Sequence, residues 1–334
     1  MTDTTDTGSR LDERRLELLR RRLAERGLLS QRPVGISPVV DELSGGQRRM
    51  WFVHMADPSG ALLNVCVSYR ITGPLDTARL REAVNAVARR HRALRTTYEA
   101  DENGEPQPTV HDDLLPGWAE HNLTDLSQHA RQLRLEVLAQ REFVAPFDLS
   151  ADAPLRITLA RTGQDEHIML LVAHHIAWDD GSWQVFFTDL TRAYTGESLG
   201  PARRPTATAG LDTTDADLDY WRVALAEPPE PLELPGPAGS TVPTNWRSQR
   251  STLRLPGDTA ERVTAMAKDS GCTPYMVMLA AFGALVHRYS HADDFLVATP
   301  VLNRAADHEI GYYGNTVAMR MRPRSRMTFR ELLT

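Results

Sequence analysis

One short run of the chain gathers the groups best able to move a proton: His174, His175, Ile176, Ala177, Trp178, Asp179, Asp180, Gly181, Ser182 and Trp183. An imidazole with an unperturbed pKa of about 6.5 accepts or shares a proton near neutrality. Adjacent carboxylates and a glycine suit a tight turn and the cap of a following helix. Along a strand neighbouring side chains face opposite ways, so only one of the two histidines can face a given cavity. Spacing alone leaves three readings open. The segment is a general base on a turn, a strand-end histidine pair followed by an aspartate cap, or a metal site with His175 and Asp179 as ligands. No third ligand stands at a telling spacing, so no metal is expected.

The elements that must position this run can be read from hydropathy periods. Ile168–Ala173 is apolar throughout and is expected to be a central strand, and Leu155–Leu159 also reads as a sheet strand. After Gly181 a helix carries Trp183, Phe186, Phe187, Leu190 and Tyr194 on one face. Upstream, Asn64–Ile71 alternates like a strand. Asp76 caps a helix with Leu80, Val84, Val87 and His91 in one stripe, Leu94–Tyr98 reads as a strand and Gln128–Arg141 as a helix. Leu11–Arg26 reads as a helix whose arginine-rich face either docks a neighbouring subunit or is simply solvated.

Beyond this lobe, Gly196–Asp217 turns to Gly, Pro, Thr and Asp and is expected to be a linker. A short helix around Tyr220 and Trp221 and a proline-rich stretch, Pro228–Pro243, follow it. The second lobe is expected to hold a strand at Ser251–Leu255, a helix at Thr259–Lys268, strands at Phe295–Thr299 and Thr316–Met321, and a helix from Pro274 to Tyr289 capped by Thr273. That last helix is apolar nearly all round and is expected deep in the core. The domain reading is a tail and helical extension over 1–30, one lobe over 36–195 and a second over 213–334.

Composition narrows the class. With 334 residues, 41% hydrophobic and 25% charged, the chain can bury a sizeable core. A net charge of −6 offers no basic field to nucleic acid. Lys268 is the only lysine, which leaves Schiff-base chemistry one candidate. Two distant cysteines, Cys66 and Cys272, make neither a disulfide framework nor a thiolate–zinc site. No apolar stretch approaches the ~20 residues of a membrane span, and the first thirty residues lack a signal-peptide core. A cytoplasmic protein without membrane partners is expected.

The histidine run resembles the His-His-x-x-x-Asp-Gly motif of nonribosomal peptide synthetase condensation domains, relatives of chloramphenicol acetyltransferase. Three further matches stand in the family's order. Ser44-Gly45-Gly46-Gln47-Arg48-Arg49-Met50-Trp51 is similar to Ser-x-Ala-Gln-x-Arg-Met-Trp, with Gly46 for alanine. Arg90-His91-Arg92-Ala93-Leu94-Arg95-Thr96 is similar to Arg-His-Glu-x-Leu-Arg-Thr, with Arg92 for glutamate. Ile310-Gly311-Tyr312-Tyr313-Gly314-Asn315-Thr316 resembles Ile-Gly-x-Phe-Val-Asn-Thr. There are departures. Asp180 follows the motif aspartate and displaces the glycine to Gly181, as in a family branch that recruits oxygenases, although that branch lacks the second histidine. The usual linker motif is unrecognisable beyond Asp219-Tyr220-Trp221, and the family's last two motifs would lie past Thr334.

The resemblance implies an α/β fold of two acetyltransferase-like lobes in a V-shaped pseudo-dimer, the second incomplete here. It implies amide-bond formation between donor and acceptor thioesters presented on the 4′-phosphopantetheine arms of carrier proteins, with adjacent synthetase domains as partners and no bound cofactor. His175 is then the catalytic residue. His174 turns away from the tunnel, and Asp179 is structural and paired with Arg95 or Arg90. Trp178, Ser182 and Asn315 are candidates for the tunnel wall, although Trp178, like Trp51, suits the core. The alternatives are a non-catalytic docking platform and a coenzyme A-dependent acyltransferase of the same superfamily.

Overall fold

The computed structural model describes residues 43–57, 59–201, 215–235, 251–302 and 308–333. It divides into two compact units, Met1–Leu211 with Leu302–Gly314, and Asp212–Val301 with Asn315–Thr334. The fold is mixed α/β. The expected Leu11–Arg26 helix and most of the expected linker lie outside the described residues.

The first unit is built around a four-stranded sheet in the order β1 (Asn64–Thr72), β6 (Glu166–His174), β5 (Leu155–Gly163), β4 (Gly117–Asn122). β6 is interior and antiparallel to both neighbours, as its unbroken apolar run demands, because each face must be covered. Met169, Leu171 and Ala173 join Leu155, Ile157 and Leu159 under α2 (Thr77–Arg90) and α4 (Asp180–Thr195). Leu170 faces the other way, toward Leu138 of α3 (Gln128–Val144). Val172 lies on that face beside Trp51 and Met55 of α1 (Gly45–Ala56). Burying a Leu-sized side chain is worth about 1.5–3 kcal/mol, so the alternating contacts on both faces pin the strand's register and the direction of its last residue.

Two helix starts at the site are closed by side chains. Ser44 and Gln47 form a capping box at the start of α1, and Asp179 and Ser182 form one at the start of α4. A small hairpin, β2 (Thr96–Ala100) with β3 (Pro106–Val110), completes the unit. The expected strand at Leu94 is corrected: Arg92–Arg95 is a 3-10 turn and the strand begins at Thr96. The turn buries Leu94 on the apolar core beneath α2, which an extended backbone starting there would not do.

The second unit contains α5 (Asp215–Ala224), α6 (Gly257–Asp269), α7 (Pro274–Ser290), α8 (Phe329–Leu332) and, apart from their end residues Leu302 and Gly314, the paired strands β7 (Phe295–Leu302) and β8 (Gly314–Met321). Two expectations fail here. Residues 251–256 form no strand, and Leu253 is 85% exposed. The capped, proline-started α7 forms as expected, yet it buries only Val277, Ala280, Gly283 and Val286, while Met278, Phe282 and Leu285 face outward. Gly283 packs on Met321, and the described partners cover that one stripe and no more. Among the described residues no single helix is long and apolar enough to cross a membrane.

Candidate active site at the end of the central strand

β6 ends at His174, and the chain then makes one 3-10 turn, His175–Ala177, before Asp179 caps α4. The turn splits the two histidines. His175 is half-buried, and its backbone N–H donates to the Leu63 carbonyl at 2.9 Å. Its Nδ1 lies 2.6 Å from the Trp178 carbonyl oxygen. A carbonyl only accepts, so Nδ1 carries the hydrogen and the neutral ring keeps its lone pair on Nε2. The Tyr312 ring stands edge-on to the imidazole, with centroids 5.1 Å apart and planes at 88°.

His174 has the opposite environment. It is fully buried beside Phe147 and His54, on the α1 side of the sheet. Its Nδ1 accepts the Ile176 N–H at 3.1 Å, so Nε2 carries the hydrogen and donates to His54 Nδ1 at 3.2 Å. Burial holds its pKa well below the ordinary histidine value, helped by His54, His175 and Arg156 nearby. His174 is a neutral strut beneath the turn.

Asp179 is 4% exposed and binds in two directions. Oδ1 accepts the Ser182 N–H and hydroxyl, both at 3.1 Å, and Oδ2 accepts the Tyr313 N–H at 3.0 Å. Ser182 Oγ in turn meets the N–H and C=O of Gly311 at 3.2 and 3.1 Å. The cap of α4 therefore also grips the segment that carries Tyr312. A second grip lies at His91, whose Nδ1 accepts the Ile310 N–H at 3.3 Å while Nε2 donates to Asp189 at 2.8 Å.

The expected arginine partners of Asp179 are engaged elsewhere. Arg90 pairs with Asp189 at 3.0 Å. Arg95 reaches the His111 carbonyl at 2.7 Å and Asp112 at 3.1 Å. Both side chains leave the chain near the end of α2, beside α4's middle and the β2–β3 hairpin respectively, so neither extends to the helix cap. Trp178 and Ser182 are fully buried, one in the aromatic cluster with Trp183 and Phe186, the other in the capping box, so neither lines an open wall. Asp180 is exposed in the first turn of α4, where its charge suits the helix dipole. Gly181 follows it inside the helix without a positive φ, and Asn315 belongs to the other unit, its Oδ1 accepting the Thr316 N–H. Sequence reading missed His54 and Tyr312. His54 carries no periodic signal, and Tyr312 occupies a position the resembling motif leaves open. Among the described residues no group of three His, Cys, Asp or Glu side chains is arranged to hold a metal.

Comparison with known proteins gives the same family at several levels. The family model described as Condensation domain matches residues 40–334. Phosphinothricin tripeptide synthetase PhsC of Streptomyces viridochromogenes is 34% identical over 322 residues, which is 91% of this chain and 29% of that protein. The chain thus spans under a third of this curated relative. The solved condensation domain from Monacolin K polyketide synthase MokA is 24% identical with a TM-score of 0.73, over 87% of this chain and 70% of that one. At that identity the likeness speaks for the fold. The X-domain from teicoplanin biosynthesis is 25% identical with a TM-score of 0.73, over 90% and 69%.

Proposed function

This chain belongs to the condensation-domain family of nonribosomal peptide synthetases, and on that premise we propose that it joins two carrier-bound acyl groups through an amide bond at His175. The acceptor's α-amine attacks the donor's thioester carbonyl, the donor's phosphopantetheine thiol leaves, and the lengthened chain stays on the acceptor arm. The observation that carries this reading is the His175 tautomer. Nδ1–H is committed to the Trp178 carbonyl, so Nε2 is the nitrogen that can take the amine's proton or hold the amine in line.

Magnitudes decide which of those roles dominates. An α-amine has a pKa of about 8, so a usable fraction is already neutral at pH 7. General base catalysis supplies ~10²- to 10⁴-fold, or about 3–5 kcal/mol. Holding two thioesters in attack geometry removes ~7–11 kcal/mol. Positioning outweighs proton transfer, and a rigidly held imidazole serves both. His174, neutral and buried, keeps the strand end in place and takes no proton from the reaction.

The test loads donor and acceptor carrier proteins with aminoacyl phosphopantetheine, adds this protein, and looks by mass spectrometry for the condensed thioester. His175→Ala should remove the product while leaving the circular dichroism spectrum unchanged. An unaffected yield would take His175 out of the mechanism. Product formed as readily from free coenzyme A thioesters would favour the acyltransferase alternative, and no product with any pair would favour the docking platform.

A further inference from the structure

Two glycines meet on one tyrosine beside His175. Gly46 stands where the resembling motif has alanine, and Gly314 where it has valine. A methyl group built on Gly46 would lie 2.7 Å from the Gly314 carbonyl oxygen and 2.8 Å from Tyr312 Cε1. One built on Gly314 would meet Cε2, Cζ and the hydroxyl oxygen of Tyr312, each at 3.1 Å. The space that two side chains would fill is occupied by one ring, and that ring presents itself edge-on to the imidazole.

The half-buried ring is fixed through the backbone on both sides of it. On one side of it Gly311 is bonded to Ser182, and on the other the Tyr313 N–H is bonded to Asp179. Both anchors are members of the α4 capping box. The Arg49 guanidinium stands beside the Tyr312 hydroxyl. Among the described residues the His175 ring, by contrast, makes one hydrogen bond, from Nδ1 to Trp178. A single bond leaves an imidazole free to swing about its χ angles; a fixed aromatic edge against the ring removes that freedom.

We infer that Tyr312 is the positioning residue of His175: wedged between Gly46 and Gly314, its ring holds the imidazole in the orientation that leaves Nε2 open to the reactants. This rests on the reading of His175 as the reacting-site histidine. It adds a residue that the family motif does not mark and a reason for two glycines that depart from it.

The experiment uses the full chain, with ¹⁵N-labelled histidine for the imidazole signals and carrier-bound substrates for the kinetics. In the wild type, His175 should show one neutral tautomer, protonated at Nδ1. Tyr312→Ala should average the two ring-nitrogen signals and lower kcat about tenfold or more, with KM changed by less than about twofold. Tyr312→Phe keeps the ring and should restore both readouts to within about twofold of wild type in rate. Gly314→Ala displaces the ring by a few tenths of an ångström and should show a milder form of the same change. That effect should vanish when Tyr312→Ala is already present. If Tyr312→Ala fails to fold, Gly314→Ala alone decides. Unchanged His175 signals in Tyr312→Ala, or a Tyr312→Phe variant as defective as Tyr312→Ala, would overturn the inference. Should the wild type condense nothing, the proposed function fails, while the imidazole signals still decide the role of Tyr312.

Discussion

Replacing Asp179 with alanine tests whether this aspartate is the structural keystone of the site. The carboxylate is almost wholly buried and accepts from the Ser182 N–H, the Ser182 hydroxyl and the Tyr313 N–H. Losing an aspartate helix cap costs about 1 kcal/mol. Leaving the partly buried Tyr313 N–H without its acceptor adds about 1–3 kcal/mol. The sum, about 2–4 kcal/mol, corresponds to a fall in melting temperature of roughly 4–16 °C for a unit of this size. The damage should also reach the chemistry, because the Trp178 carbonyl that orients His175 is the residue immediately before the cap. Urea unfolding followed by tryptophan fluorescence, paired with the condensation assay, reads both. Asp179→Asn should be milder than alanine at the Ser182 end, since an amide oxygen still caps, but not at Tyr313, where the amide's NH₂ would face another donor. An alanine variant with wild-type midpoint and wild-type rate would refute the reasoning outright.

Three further outcomes are expected. His174 is held neutral in the folded state while its unfolded pKa is about 6.5. Below that pH the unfolded chain binds a proton the folded chain refuses, so stability falls as pH drops, by up to about 1.4 kcal/mol per pH unit from this group; urea midpoints from pH 7.5 to 5 should show it, and His174→Asn should flatten the slope. Asp189→Ala strips the buried Arg90 and His91 of their shared carboxylate, and destabilisation of about 3–5 kcal/mol is expected from chemical denaturation. Gly46→Ala inserts the residue that the resembling motif carries, yet with the Gly314 carbonyl 2.7 Å from the new methyl it should destabilise by about 1–3 kcal/mol, and a neutral result by calorimetry would mean that the segment around Gly314 yields easily.

The amino-acid sequence alone determined the parts of this protein that depend on near neighbours in the chain. The apolar run of β6 placed it inside the sheet, and Asp76 and Thr273 announced the helices they cap, whereas His174 and His175 part through the 3-10 turn that follows β6 rather than through strand alternation. Ordered motifs identified the family. What the tertiary structure decided depends on residues far apart in the sequence. The sequence offered Arg90 and Arg95 to Asp179, but the packing of α2 against α4 gives Arg90 to Asp189, and the hairpin gives Arg95 to Asp112. Whether α7 buries its whole apolar surface is settled by how many neighbours reach it, and a helix's own composition cannot count them. His54, Tyr312 and the tautomer of His175 were likewise invisible, because a hydrogen bond or a ring contact is a relation in space. Local patterns encode local geometry through backbone sterics and periodicity, whereas the choice of partner is made only when the chain closes on itself.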